Sequence, residues 1–218
     1  MTLALYAHPF SSYCQKALVA LYANGIAFDY RSLEEPAHRA ALEALWPMQR
    51  FPVLVDGERT VIEATSIIDY LHVRHPGPVR LLPDDPLAAV GVRMLDRFFD
   101  NYVSTPQQKI VFDAIRAEAD RDPHGVAEAR RMLDTSYAWL ERHLADGRPW
   151  AAGEAFSLAD CGAAPFLFYA DWTHRIPEGF RGVHQYRARL LAWPAVRRAV
   201  EEARPFRGYF PLGAPDRD

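Results

Sequence analysis

Over the first eighty positions, apolar residues fall in short alternating runs. Beyond them they recur at intervals of three and four. The alternation predicts strands over residues 2–7, 26–31, 53–55 and 59–62. Helical spacing predicts helices between and after them, over residues 12–24, 36–45 and 66–71. Gly25 closes the first helix at the C′ position. Asp56-Gly57 joins the last two strands as a tight hairpin, and Pro76-Gly77-Pro78 stops the third helix. The order is βαβαββα. A crossover helix joins the first two strands, which should therefore be parallel, whereas the hairpin pair is antiparallel.

Pro76, Pro78, Pro83 and Pro86 crowd one short stretch, and the strand signals end there. Residues 79–86 are thus the predicted linker between two domains, 1–78 and 87–218. The second domain reads as all α. A long helix over 87–116 should bend at Pro106. Another over 124–145 carries Met132, Leu133, Tyr137, Leu140 and Leu144 at helical spacing. Ser157-Leu-Ala-Asp160 resembles a capping box with Asp in the Glu position. It opens an apolar helix over 161–172, which should be buried on most sides. A last helix spans about 187–203.

Composition narrows the class. The chain has 218 residues, 50% hydrophobic and 24% charged, with a formal net charge of −3. These are values of a soluble globular protein. No basic stripe invites nucleic acid. No run approaches the roughly 18 apolar residues a spanning helix needs, and no signal peptide is read at the start. The two cysteines, Cys14 and Cys161, form no zinc spacing or disulfide ladder, which suits a reducing cytoplasm. His72 and His75 lie three apart without a third ligand, so no metal is expected.

The candidate chemistry sits at the first helix start, His8-Pro9-Phe10-Ser11-Ser12-Tyr13-Cys14. Unpaired N–H groups and a partial positive charge meet there. Either serine can cap the helix or turn its hydroxyl to a bound anion. Cys14 completes a Ser-x-x-Cys spacing and reads more simply as a small packed residue than as a redox thiol. Ser157 and Asp160 read as a cap rather than a catalytic pair. Tyr6 reads as a packed strand residue.

Four segments share an order with one family: Ser11-Ser12-Tyr13-Cys14, Phe51-Pro52-Val53-Leu54, Glu63-Ala64-Thr65-Ser66-Ile67, and Gly153 to Asp160. Together they resemble cytosolic glutathione transferases of the serine type, theta- or zeta-like, over essentially the whole chain. The resemblance implies a thioredoxin-like N-terminal domain, an all-helical C-terminal domain and glutathione as co-substrate. It implies that Ser11 donates to the glutathione sulfur, while Ser12, its competitor for that role, lies one residue nearer the helix and caps it. Pro52 should follow a cis bond, with the Phe51 backbone facing the cysteinyl part. Glu63, Ala64 and Thr65 should hold the γ-glutamyl end. Phe10 and Arg50 should also touch the tripeptide, Arg50 at the glycyl carboxylate, with Arg39 and His38 as weaker candidates.

The family usually has Ser where this chain has Ala64, and Thr65 is the residue able to replace that hydroxyl. Phe51 stands where the family has Val. Among the aromatic residues Phe98, Phe99, Tyr102, Phe112, Phe166, Tyr169 and Trp172, most are core. Tyr13, Tyr102 and Tyr169 are the pocket candidates for a small apolar electrophile. The implied function is a detoxifying conjugation by a homodimer. An isomerase of the maleylacetoacetate type is the close variant, and a non-catalytic protein-binding scaffold of the same fold is the rival. The zeta-type turn continues Cys-Ser-Trp-Arg, whereas this chain has Tyr-Cys-Gln-Lys, which favours conjugation or peroxide reduction over isomerisation.

Overall fold

Leu3, Leu5 and Ala7 alternate inward along the first strand, β1 (Leu3–Ala7), while Ala4 and Tyr6 face the other way. The computed structural model describes residues 3–218. Thr2, which the sequence reading placed in this strand, lies outside them. The strands β1, β2 (Phe28–Ser32), β3 (Val53–Asp56) and β4 (Arg59–Ile62) form one sheet in the order β2-β1-β3-β4. β2 runs parallel to β1, with Tyr30 opposite Leu5. β3 is antiparallel to β1 and to β4. The turn between β3 and β4 uses Gly57 at φ 61°, a conformation that glycine adopts without steric cost.

Helices cover both faces. α1 (Ser12–Ala23) and α3 (Ala64–Arg74) bury Ala17, Leu18, Leu21, Ile67 and Leu71 against Leu3, Leu5 and Leu54. α2 (Pro36–Leu45) buries Leu42 on the opposite face, with Val53 and Tyr6. β2 begins two residues later than the pattern suggests, because Ile26 and Ala27 complete the turn that follows Gly25, whose φ is 60°.

The second half is helical throughout. α4 (Pro86–Phe98) runs into a π-helical segment, Phe99–Ser104, and then α5 (Thr105–Ala114). The expected bend at Pro106 is replaced by this π segment just before it. Pro106 has no N–H to give the Tyr102 carbonyl, and the Ser136 hydroxyl donates to that carbonyl instead, at 2.8 Å. α6 (Pro123–His143) and the wholly buried α7 (Leu158–Thr173) complete the centre. The predicted last helix is two helices, α8 (Arg181–Ala192) and α9 (Pro194–Ala203). Pro194 forces Trp193 out of the helical region, to ψ 128°. A short 3-10 segment, Arg204–Tyr209, follows and was not foreseen.

Two buried polar clusters fix the packing, one inside the helical half and one between the halves. Asp160, fully buried, accepts from the Ser157 N–H and hydroxyl at 2.8 and 2.9 Å, from the Ala151 N–H at 2.9 Å and from the Tyr186 hydroxyl at 2.6 Å. Four donors satisfy a carboxylate that would otherwise be very costly to bury. The second cluster centres on Lys16 of α1. Its buried Nζ lies 2.6 Å from Asp96 and 2.9 Å from both Asp100 and the Thr65 hydroxyl. Arg97 reaches Asp96 at 2.6 Å and also pairs with Asp100. Two cations and two carboxylates thus balance where α1, α3 and α4 meet. Burial pushes the Asp100 carboxyl up, and Lys16 pulls it back.

Candidate active site

The turn between β1 and α1 is pinned by its own polar groups. The Ser11 N–H donates to the His8 carbonyl at 3.0 Å, the Phe10 N–H to His8 Nδ1 at 3.1 Å, and Gln15 Nε2 to the Pro9 carbonyl at 2.8 Å. Extended backbone continues through Ser11, with φ −79° and ψ 124°, and the helix starts one residue later. Ser11 is therefore the N-cap, and its Oγ accepts from the Cys14 N–H at 3.4 Å. This corrects the expectation that Ser12 caps the helix, for Ser12 is already its first residue. Accepting through a lone pair leaves the Ser11 O–H free to donate, so capping and holding an anion do not compete.

Ser11 opens onto a cavity of about 600 Å³ between the two halves. One wall is polar and belongs to the sheet half: Ser11, Ser12, Trp46, Gln49, Arg50, Phe51, Pro52, Glu63 and Ala64. The Phe51–Pro52 peptide bond is cis. Gln49 and Glu63 have φ of 53° and 66°, and they are the non-glycine residues with positive φ among those described. Such backbone costs of order 1–3 kcal/mol and concentrates at functional sites. Glu63 is also the N-cap of α3 and makes no side-chain cap bond, so the first N–H groups of α3 are left without a side-chain acceptor beside the cavity. An uncapped helix start is a carboxylate site.

The opposite wall is largely apolar. α5 contributes Gln107, Gln108, Val111, Phe112 and Ile115 from one face or its end. Phe10, Tyr13, Tyr169, Tyr209, Phe210 and Pro211 complete it. The Tyr13 ring meets Phe166 edge-on at 5.0 Å. The Tyr169 hydroxyl accepts from Gln15 Nε2 at 2.9 Å. Burial pushes both hydroxyls up, so both stay neutral donors near pH 7.

The cavity brings together most of the residues singled out in the sequence: Phe10, Ser11, Ser12, Tyr13, Arg50, Phe51, Pro52, Glu63, Ala64 and Tyr169. Two do not join them. The Thr65 hydroxyl is spent on the ion cluster, accepting from Lys16 and donating to Asp96 at 2.8 Å, so it cannot replace the hydroxyl absent at Ala64. Tyr102 sits on the π segment and turns toward α6, beside Phe98, which packs on Trp139. The weaker candidates are also engaged elsewhere: His38 bonds the Ser32 carbonyl and Arg39 the Leu33 carbonyl. Cys14 is buried under the His8 N–H, which donates to its sulfur at 3.4 Å, and burial pushes its thiol up to about 12. No cluster of metal-ligating side chains occurs among the described residues.

Several lining residues went unread in the sequence. Val111 and Ile115 share helical spacing, but only the rotation of α5 shows which face they occupy. Tyr209, Phe210 and Pro211 reach the cavity because the segment after α9 folds back over the turn. There the Tyr209 hydroxyl donates to Glu34 at 3.1 Å, and Phe206 packs edge-on against His8 at 4.8 Å.

Comparison with known proteins points to one family. The family model described as glutathione S-transferase, N-terminal domain, matches residues 5–79, and that for the C-terminal domain matches residues 123–193. A maleylacetoacetate isomerase of Pseudomonas aeruginosa is 28% identical, covering 99% of this chain and 98% of its own. A probable maleylacetoacetate isomerase of Vibrio cholerae is 26% identical over 94% of this chain and 98% of its own. A glutathione S-transferase of Methylobacterium radiotolerans, solved in complex with glutathione sulfonate, superposes with a TM-score of 0.79 at 25% identity. It covers 92% of this chain and 95% of its own.

Proposed function

We propose that this chain, which belongs to the glutathione S-transferase family, binds glutathione along the polar wall and uses the Ser11 hydroxyl to hold its thiolate for attack on a small apolar electrophile. In this reading residues 1–78 form the glutathione-binding domain and 87–218 the domain that supplies the electrophile wall. The observation that carries the reading is the Ser11 hydroxyl. It stands at a helix start, inside the cavity, with its proton uncommitted. The sulfur accepts from Ser11, and the positive end of α1 adds to the attraction. The γ-glutamyl carboxylate takes the free N–H groups at the start of α3, and the Glu63 carboxylate faces the ligand amine. Arg50, at the other end of the polar wall, meets the glycyl carboxylate.

The thiolate then attacks the electrophile across the cavity. One C–S bond forms with the sulfur lone pair, and the leaving group departs with its bonding pair, or an activated double bond takes up the charge and a proton. Ser11 keeps its own proton throughout. The gain comes from positioning and from stabilising the anion.

Both relatives described above carry the name maleylacetoacetate isomerase, which supports the isomerase as a second reading. Charge argues for conjugation. Maleylacetoacetate is a dicarboxylate, and Arg50 is the basic residue lining this cavity, on the glutathione side. The electrophile wall is aromatic, aliphatic and amide, which suits an uncharged substrate. Retention on immobilised glutathione, followed by turnover of a neutral aryl halide and of a dicarboxylate enone, tests this. Turnover of the aryl halide is the expected result. Exclusive turnover of the dicarboxylate would reverse the choice, and no retention at millimolar glutathione would favour a protein-binding scaffold.

The chain works as a homodimer in this reading. Leu87, Val90 and Met94 on α4, with Val73 on α3, are each more than half exposed. The spacing of Leu87, Val90 and Met94 makes an apolar strip along α4 that a second copy would cover. No helix among the described residues is long and apolar enough to cross a membrane, and the two unpaired thiols suit a reducing cytoplasm.

A further inference from the structure

His8 stands just before the serine turn and does not line the cavity. Both peptide units that lead into Ser11 are nevertheless tied to it. The Phe10 N–H, on the first unit, donates to His8 Nδ1 at 3.1 Å, and the Ser11 N–H, on the second, donates to the His8 carbonyl at 3.0 Å. A planar peptide leaves only φ and ψ to turn the chain, so the planes of these two units set the direction in which the Ser11 side chain leaves the backbone.

The ring of His8 is itself locked. A neutral imidazole accepts at one nitrogen and donates at the other. The Phe10 N–H requires an acceptor, so Nδ1 carries no proton and Nε2 carries it. Nε2–H then donates at 3.0 Å to Glu34, in the turn between β2 and α2. The other Glu34 oxygen accepts from the Tyr209 hydroxyl at 3.1 Å, so the carboxylate is held from both sides. Phe206 meets the His8 ring edge-on at 4.8 Å, and the Tyr209 ring lies 5.8 Å from it. The His8 side chain is 13% exposed, so protein contacts rather than water fix its orientation.

We propose, on the reading that Ser11 holds the thiolate, that His8 is the residue that aims it: braced by Glu34, His8 fixes the two peptide units before Ser11 and so keeps the hydroxyl on the glutathione sulfur. His8 is a positioning residue, acting through Ser11 and not on the ligand. Hydrogen bonds weaken steeply as they bend, so a loosened turn costs thiolate even though Ser11 is present. Gln15 still holds the Pro9 carbonyl when His8 is replaced, so losing His8 does less than losing Ser11.

The thiolate absorbance of bound glutathione is titrated in the full chain and in His8→Leu, His8→Asn, Glu34→Ala, Ser11→Ala and the double variant Ser11→Ala/His8→Leu, with thermal melts to establish folding. His8→Leu should raise the bound thiol by about half a unit to one unit, and kcat for a neutral aryl halide at pH 6.5 should fall about two- to tenfold. The gap should close at high pH, and KM for glutathione should stay within about twofold, because the polar wall is intact. Glu34→Ala should shift the thiol the same way by less. His8→Asn should recover most of the loss, since its side-chain oxygen can take the place of Nδ1 as acceptor for the Phe10 N–H. The double variant should go no further than Ser11→Ala, because His8 acts only through that hydroxyl.

An unshifted thiol in folded His8→Leu, or in Glu34→Ala if His8→Leu does not fold, overturns the proposal while leaving the role of Ser11 standing. Equal losses in His8→Asn and His8→Leu, or shifts that add in the double variant, overturn it as well. An unshifted thiol in Ser11→Ala refutes the role of Ser11 itself, and with it that of His8.

Discussion

Replacing Ser11 by Ala removes a hydroxyl proton that stands at the α1 start without a partner. A hydrogen bond to a charged acceptor is worth about 1.5–3 kcal/mol, and one pKa unit corresponds to about 1.4 kcal/mol. The bound thiol, about 8.5 when free, is therefore expected about one to two units lower with Ser11 present. At pH 6.5 about a tenth to a half of it is then thiolate, against roughly a hundredth without the serine. Conjugation at pH 6.5 should fall about tenfold or more in Ser11→Ala, and the gap should close as pH rises above the free thiol value, where sulfur ionises unaided. The thiolate absorbance of bound glutathione, titrated in both proteins, measures the same shift directly.

Losing the cap also weakens α1 by about 0.5–2 kcal/mol, so Ser11→Asp serves as a control. Aspartate caps as well as serine but repels a thiolate, and that variant should stay folded and be the least active of the three. Full activity of Ser11→Ala at pH 6.5, or a deficit of equal size at every pH, would refute the role given to Ser11. An unaltered Ser11→Ala beside an inactive Ser12→Ala would move the sulfur contact to Ser12.

Three further outcomes follow from the geometry. Asp160→Ala strands four buried donors and should cost roughly 3–5 kcal/mol in urea unfolding, while the folded fraction keeps its activity per molecule; a loss under 1 kcal/mol would contradict the cluster. Cys14, with its thiol pushed up to about 12, should resist iodoacetamide at pH 8 in the native protein and react once unfolded; alkylation at the rate of a free thiol would reinstate a redox role. Val90→Arg on the exposed strip of α4 should shift the sedimentation coefficient from dimer to monomer without unfolding the chain, and an unchanged coefficient would place the interface elsewhere.

The polar wall was readable because its residues are local signals. Ser11 precedes a helix, Pro52 precedes a strand and Glu63 precedes a helix, and each sits within a few residues of the element end that positions it. The electrophile wall was less so. Tyr102 and Phe112 look alike in sequence, yet a six-residue π segment with Pro106 behind it sends one toward α6 and leaves the other in the cavity. Thr65 looked like a ligand contact because it lies beside Ala64. It serves the ion cluster instead because Lys16 and Asp96, 49 and 31 residues distant, converge on it.

By itself, then, the amino-acid order determined the βαβαββα half, the helical half, the breaks imposed by proline and glycine, and the serine turn. All of these follow from backbone preferences and from apolar periodicity, which act over a few residues. Tertiary structure alone decided which serine caps α1, which face of α5 meets the ligand, how the segment after α9 closes the cavity, and that Glu34 meets both His8 and Tyr209. Those depend on the rotation and separation of elements packed from distant parts of the chain, and close packing, unlike periodicity, leaves no repeating mark in the sequence.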